Sequence, residues 1–161
     1  MAPRRKVYVE TSVISYLTGR LSRDVRVAAA QRLTRLWWED ASSRWDLYIS
    51  RLVVLEAGAG DPDASARRLA AIRGIPKLIA TPECLVLAQK LRWENALPRT
   101  AGYDALHLAI AAVHGMDYLI TWDRRHLASE SLLPKIRSII ASWGYAGPEI
   151  RTPQQLQGGD P

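Results

Sequence analysis

The chain has 161 residues, of which 48% are apolar, and a formal net charge of +6. This length and apolar content predict one folded domain, and the lack of any run of about 18 apolar residues predicts no transmembrane helix. The start MAPRRK lacks the apolar segment of a signal peptide, the single Cys84 excludes an internal disulfide, and the basic charge favours a polyanionic partner, so we expect a cytoplasmic protein without a membrane partner.

The first predicted element is a short buried strand, Val7–Val9, rich in β-branched residues. It ends at an acid, Glu10, and the hydroxyls of Thr11 and Ser12 can cap a helix over Val13–Leu17. A strand that runs into a helix places its last side chain at the carboxyl edge of a sheet, where open α/β sheets bind ligands. Glu10 is therefore either a functional carboxylate or an N-cap acid that the helix dipole favours.

A long helix and further alternating elements follow. Asp24 can cap a helix that continues to about Ser42, in which apolar residues recur at helical spacing. Its adjacent Trp37 and Trp38 suit packing better than a base-stacking platform. The other elements of this half are a strand at Asp46–Ser50, helices at Arg51–Gly58 and Ala64–Ile72, a strand at Lys77–Ala80 and a helix at Pro82–Asn95.

The second half repeats this alternation. Strands separated by helices predict an α/β layered fold with a mainly parallel sheet. We expect a single domain over residues 1–153 and a polar, frayed tail over residues 154–161. The elements are a helix capped by Thr100 and ended by Gly115 after His114, a strand at Tyr118–Thr121, a helix at Lys135–Trp143 and a fifth strand at Glu149–Arg151.

Four acids stand out from this pattern. Glu56 and Asp104 interrupt helices that are apolar nearly all round, where a carboxylate is costly unless it is paired or bound to a metal. Asp123, like Glu10, sits at the carboxyl end of a predicted strand. Each acid could instead pair with one of the 22 Lys and Arg residues. The four together favour a shared site.

The motifs around these acids are Y-V-E-T-S, L-E, Y-D-A-L-H-L-A and L-I-T-W-D, in that order. With them the chain resembles the PIN-domain ribonucleases, and particularly the VapC-type toxins of bacterial toxin–antitoxin pairs. The resemblance implies a three-layer fold with a five-stranded, mainly parallel sheet, a Mg²⁺ or Mn²⁺ site, an RNA substrate, a small antitoxin partner and a homodimer. It also implies a catalytic group of Glu10, Glu56, Asp104 and Asp123, supported by Thr11, Ser12 and Thr121.

Two features depart from the common pattern of that family. Most members begin the site with Asp, whereas the extra methylene of Glu10 moves its carboxylate outward. The closest subgroup opens E-T-S and continues W-N-x-x-H, but here W-D-R-R-H restores the acid as Asp123. We expect His107 to be a packed or hydrogen-bonded histidine. His126, Arg124 and Arg125 are either RNA contacts or part of a solvated loop.

Electrostatics provide an independent reason for a metal. Two carboxylates about 4 Å apart repel by about 4 kcal/mol at an effective dielectric constant near 20. A divalent cation with oxygen ligands removes this conflict, which suits Mg²⁺ or Mn²⁺. We therefore expect Glu10, Asp104 and Asp123 to coordinate the metal directly or through water, and Glu56 to coordinate it or orient water.

The predicted reaction is hydrolysis of an RNA phosphodiester bond by metal-activated water. Two alternatives remain open: an RNA-binding module of PIN-like fold without catalysis, and another Mg²⁺-dependent phosphoester hydrolase. The second lacks support in the first strand, which ends E-T-S rather than in the D-x-D of a phosphoaspartate enzyme.

Overall fold

The structure, a computed structural model, describes residues 2–94, 97 and 102–158. In this part of the chain five strands alternate with helices, and no helix combines the length and the apolar character needed to cross a membrane. The strands are β1 (Lys6–Val9), β2 (Asp46–Ser50), β3 (Lys77–Leu78), β4 (Tyr118–Ile120) and β5 (Glu149–Arg151). The helices are α1 (Thr11–Thr18), α2 (Val25–Arg44), α3 (Arg51–Ala57), α4 (Pro62–Ala71), α5 (Pro82–Trp93), α6 (Gly102–Val113), α7 (Leu133–Ser142) and α8 (Pro153–Gly158).

The strands form one sheet in the order β3-β2-β1-β4-β5, and every neighbouring pair is parallel. Strand β1 lies at the centre, with Val7 opposite Leu47 on one side and Tyr118 on the other. The side chains of Val7, Tyr8 and Val9 are fully buried, as expected for a parallel sheet covered on both faces. This confirms the predicted α/β fold with helices flanking a five-stranded sheet.

Apolar packing explains why the tryptophans of α2 do not form a binding platform. Trp37 is fully buried, and Trp38 is partly buried against the same core. Helix α2 packs against α1 and α8. The predicted packing role of the two tryptophans is confirmed.

Helix α6 is buried at seven of its positions, which accounts for its almost uniformly apolar sequence.

Several predicted boundaries change by a few residues. Strands β3 and β4 end before Ala80 and Thr121, and α1 begins at Thr11 rather than Val13. The helix is capped by the Glu10 carboxylate, which accepts the backbone N–H of Ser12. Capping by the hydroxyls of Thr11 or Ser12 was therefore wrong. The predicted Thr100 cap and the predicted helix end at Asn95 lie outside the described residues.

Residues 154–158, part of the segment that polar composition predicts to be a frayed tail, are helical in the structure. Residues Pro153–Gly158 form α8, which packs against α2 and buries Leu156. Its start is a reciprocal capping box: Gln155 N donates to Thr152 Oγ1 at 3.2 Å, and Thr152 N donates to Gln155 Oε1 at 2.9 Å. The T-P-x-Q pattern, with proline in the first turn, is the local signal that composition concealed.

We expect Leu156→Ala to lower the free energy of unfolding by about 2 kcal/mol, the low end for a buried leucine, because α8 is a terminal helix. Chemical denaturation measures this change. The exposed Gln154→Ala in the same helix serves as the matched control and should leave stability within about 0.5 kcal/mol of wild type. Equal stability of the two variants would mean that the tail is frayed in solution.

Candidate active site

Sheet topology brings two of the predicted acids to one edge. Glu10 follows β1 and Asp123 follows β4, and these strands are parallel neighbours whose carboxyl ends meet. The backbone N–H of Glu10 extends the pairing by donating to Ile120 O at 3.1 Å. Asp104 lies in the first turn of α6, where the helix dipole favours a carboxylate, and Glu56 lies in the last turn of α3.

Asp104 and Asp123 come together around His126. His126 Nδ1 lies 3.0 Å from Asp104 Oδ2 and 3.7 Å from Asp123 Oδ2. One ligand atom from each of the three residues lies within 4.8 Å of the others. Among the described residues this is the one group of three or more acidic, histidine or cysteine side chains with such spacing, and Glu10 and Glu56 lie outside it.

The turn after β4 holds the Asp123 carboxylate in place. Asp123 Oδ1 accepts the backbone N–H groups of Arg125 and His126 at 3.1 and 3.0 Å. This Asx-type turn uses one carboxylate oxygen and leaves Oδ2 on the side of the His126 ring. The W-D-R-R-H segment therefore supplies an acid and a histidine to the same cluster, while Arg124 and Arg125 are exposed.

Glu10 is tied to this turn by hydroxyl groups. Its Oε2 accepts the backbone N–H of Ser12 at 3.0 Å, the Ser12 hydroxyl, and the Thr121 hydroxyl at 2.9 Å. Ser12 Oγ and Thr121 Oγ1 in turn accept the backbone N–H groups of Trp122 and Asp123 at 2.9 and 3.0 Å. The predicted supporting positions Ser12 and Thr121 thus connect two acid-bearing strand ends.

Glu56 belongs to a second hydrogen-bond network that enters the core. Its Oε1 accepts the Thr11 hydroxyl at 2.7 Å and lies 2.5 Å from His107 Nε2. His107 Nδ1 lies 2.6 Å from the hydroxyl of Tyr8, which lies 2.7 Å from Ser50 Oγ. With Glu56 ionised, one assignment satisfies every group: Ser50 donates to Tyr8, Tyr8 to Nδ1, and Nε2–H to the carboxylate.

Burial and neighbouring charges shift the pKa values of three acids. Burial raises the pKa of Glu10, and the nearby His107 ring and the hydroxyl donors offset part of this rise. Burial and then the charge of Asp123 raise the pKa of Asp104, against the hydrogen bond from His126. Burial alone would raise the pKa of Glu56 as well, but its bonds to His107 and Thr11 hold it below its usual value.

The spacing of the cluster fits a small divalent cation. Ligand atoms about 2.1 Å from an octahedral ion lie about 3.0 Å apart when adjacent and about 4.2 Å apart when opposite. The distances of 3.0 and 3.7 Å from His126 Nδ1 to the oxygens of Asp104 and Asp123 are in this range. The two carboxylates and one imidazole could therefore each offer one ligand atom to a metal ion.

The structure thus places the predicted residues in two hydrogen-bonded groups. One contains Asp104 and Asp123, with Glu10 joined to Asp123 through Thr121, and the other contains Glu56 with Thr11 and His107. Asp104 and Asp123 meet His126 in a group that we call the metal-sized cluster, whereas metal coordination by Glu10, direct or through water, stays a prediction. Sequence reasoning expected His107 to be a hydrogen-bonded histidine, and it is one, fully buried. It did not expect His126 in the cluster, nor Tyr8 and Ser50 in the network. For these two, the only local signals were a tyrosine inside a buried strand and a serine at a strand end.

We expect Tyr8→Phe to lower the free energy of unfolding by about 1–3 kcal/mol, because it leaves His107 Nδ1 and the Ser50 hydroxyl without their partner in the core. Chemical denaturation measures the change. Tyr48→Phe is the matched control, since the Tyr48 hydroxyl has no hydrogen bond among the described residues. An equal effect of both substitutions would argue against the network.

Comparisons with known proteins support the fold. No protein-family profile and no curated protein matches the sequence. A similar fold occurs in a chain of the crystal structure of VapBC2 from Rickettsia felis, which is bound to a DNA fragment from its own promoter. The TM-score is 0.51 and the sequence identity is 14%. The match covers 74% of this chain and 89% of that chain. At this identity the likeness concerns the fold, and it agrees with a PIN-like arrangement of a five-stranded parallel sheet flanked by helices.

Proposed function

We propose that this protein is a metal-dependent endoribonuclease that hydrolyses RNA phosphodiester bonds as the toxin of a toxin–antitoxin pair. The observation that carries the proposal is the cluster of Asp104, Asp123 and His126 at the carboxyl edge of a parallel sheet. The fold that this chain shares with a chain of VapBC2 adds support, because it matches the fold that the sequence motifs imply.

Asp104 and Asp123, with His126 as a third ligand, would hold Mg²⁺ or Mn²⁺. Carboxylate oxygens suit both ions, whereas an imidazole nitrogen suits transition metals better, so we expect tighter binding of Mn²⁺. When bound, such an ion lowers the pKa of a coordinated water and stabilises charge on the attacked phosphate. His126 must keep Nδ1 unprotonated to serve as a ligand.

Glu56 would orient the attacking water. Its Oε1 accepts the bonds from Thr11 and His107, which leaves Oε2 as the oxygen available to accept a proton from water. The lowered pKa of Glu56 keeps this carboxylate ionised at neutral pH. The buried network behind His107 fixes the direction of the carboxylate, so that the water is held in one position rather than several.

The remaining roles concern charge and substrate. The carboxylate of Glu10 is held by Ser12 and Thr121, and we keep its coordination of the metal, direct or through water, as part of the proposal. The exposed Arg124 and Arg125 on the Asp123 turn would contact substrate phosphates.

The partners in this proposal are a small antitoxin and a second copy of the chain in the cytoplasm. The antitoxin follows from the proposed function, and the fold similarity to a VapBC2 chain supports it. For the homodimer, we expect light scattering at micromolar concentration to give twice the mass of 18.0 kDa. A strictly monomeric mass would remove the dimer from the proposal and leave the chemistry of the site unchanged.

We expect Asp104→Asn to keep or raise stability in the metal-free protein at neutral pH. The folded-state pKa of Asp104 is raised by burial and by Asp123, so the ionised form disfavours folding once the pH exceeds the usual value of 3.8. The gain from Asn should therefore grow as the pH rises from that value toward neutrality and vanish below it. Thermal melts in EDTA across this range measure the difference.

Metal should act in the opposite direction. A ligand that binds only the folded state adds about 2.7 kcal/mol at a hundredfold excess over its Kd, so Mn²⁺ should raise the melting temperature of wild type. Asp104→Asn should lose most of that rise, and its RNA cleavage should fall by more than the roughly 100-fold that loss of an outer-shell partner can cause.

Glu39→Gln makes the same change of charge on an exposed part of α2 and serves as the control, with the metal response and cleavage of wild type. A structural ion pair in place of a metal site predicts the reverse pattern. In that case Asp104→Asn would melt far below wild type in EDTA, and Mn²⁺ would leave the melting temperature of wild type unchanged.

A further inference from the structure

A concave surface lies beside the candidate active site. It is a cavity of about 980 Å³ bounded by the turn after β4, the start of α7, the end of β5 and α8. We call it the arginine groove, because its lining includes Arg124, Arg137 and Arg151 together with Gln154 and Gln155.

The arginine groove continues the carboxyl edge on which the acids lie. Arg124 directly follows Asp123 in the turn, and its backbone N–H donates to Trp122 O at 2.9 Å. On the other side, Arg151 ends β5, the parallel neighbour of β4. A chain that passes the metal-sized cluster along this edge would therefore enter the groove.

The arginines in the groove are only partly neutralised. Arg151 pairs with Glu149 at 2.7 Å. The guanidinium of Arg124 lies 5.5 Å from the centre of the Trp122 ring and forms no ion pair with a described residue. Arg137 is exposed on α7 and forms no hydrogen bond or ion pair with the described residues. Glu130 is the one acid among the described residues of the lining, so the described part of the groove carries a positive charge from Arg124 and Arg137.

Neutral donors accompany these charges. Gln155 uses its Oε1 to accept the backbone N–H of Thr152, so its amide N–H groups remain for a ligand. Gln154 is exposed in the same lining. Guanidinium and amide donors suit phosphate and sugar oxygens, and the volume of about 980 Å³ lies within the range of about 300–1,000 Å³ of pockets that hold whole ligands.

We propose that the arginine groove binds the backbone of single-stranded RNA on one side of the bond to be cut, with Arg137 and Arg124 contacting phosphates. This rests on the proposed ribonuclease function and adds where the substrate extends. The metal-sized cluster handles one phosphate, and the groove holds the strand that continues from it. Substrates too short to reach the groove gain nothing from it.

Arg137→Gln tests the groove, because Arg137 is exposed, unpaired among the described residues and outside the acid cluster. Binding of a twelve-nucleotide RNA is measured in EDTA, which prevents cleavage, over a range of salt. We expect roughly tenfold weaker binding, the low end for hydrogen bonds to charged groups, and a salt slope reduced by about 0.7 for the lost phosphate contact. Arg137→Lys keeps the charge and should restore most of the slope.

Arg73→Gln is the matched control. Arg73 is exposed between α4 and the start of β3, the edge strand on the opposite side of the sheet from β5, so its loss should leave the salt slope unchanged.

Cleavage kinetics with Mn²⁺ provide a second measurement. Arg137→Gln should raise KM for the long RNA about tenfold, leave kcat nearly unchanged and cleave a dinucleotide as wild type does.

The outcomes separate the groove from the proposed function. If wild type binds and cleaves RNA but Arg137→Gln keeps the salt slope and the KM of wild type, the proposal for the groove is wrong and the ribonuclease function stands. If wild type neither binds nor cleaves any RNA with Mn²⁺, both fail. If Arg137→Gln keeps RNA affinity but loses binding to a poly-glutamate peptide, the groove holds an acidic protein segment instead, and the proposal is wrong.

Discussion

The constraint on which the rest of this structure depends is the gathering of negative charge at one edge of a parallel sheet. Carboxylates this close repel, and donors among the described residues offset part of the repulsion: the hydroxyls of Ser12 and Thr121 on Glu10, and the ring of His126 beside Asp104 and Asp123. Hydroxyl donors stabilise a carboxylate without cancelling its charge. The edge therefore keeps the negative potential that a divalent cation needs.

The same donors connect the site to the core. Ser50 caps α3 through the backbone N–H of Val53, and its hydroxyl also reaches Tyr8 on the central strand. From Tyr8 the network passes through His107 to Glu56 at the other end of α3. One short helix is thus fixed at both ends by a single set of hydrogen bonds. A carboxylate held in this way has little freedom to turn, which is the preorganisation that catalysis requires.

Site chemistry and fold carry different weight in assigning a function. A fold shared at 14% identity with a chain of VapBC2 is compatible with many activities, since one architecture hosts unrelated chemistries. The Asp104, Asp123 and His126 cluster is more specific, because its spacing suits an ion. The arginine groove beside it provides the opposite charge on the same edge. Adjacent regions of opposite sign suit a phosphodiester chain, whose cleaved phosphate needs a cation and whose continuing backbone needs guanidinium groups.

The sequence by itself determined the order of strands and helices, the parallel α/β architecture and the placement of Glu10 and Asp123 at strand ends. These features depend on side-chain period and turn chemistry, which act over a few residues. Local signals also existed for α8, in the capping box of Thr152 and Gln155, but polar composition concealed them. Only the tertiary structure decided which donor satisfies each carboxylate, as in the Thr11–Glu56 and Thr121–Glu10 bonds, which join residues 45 and 111 positions apart. Such pairs depend on the packing of whole elements, and no local pattern in the chain encodes them.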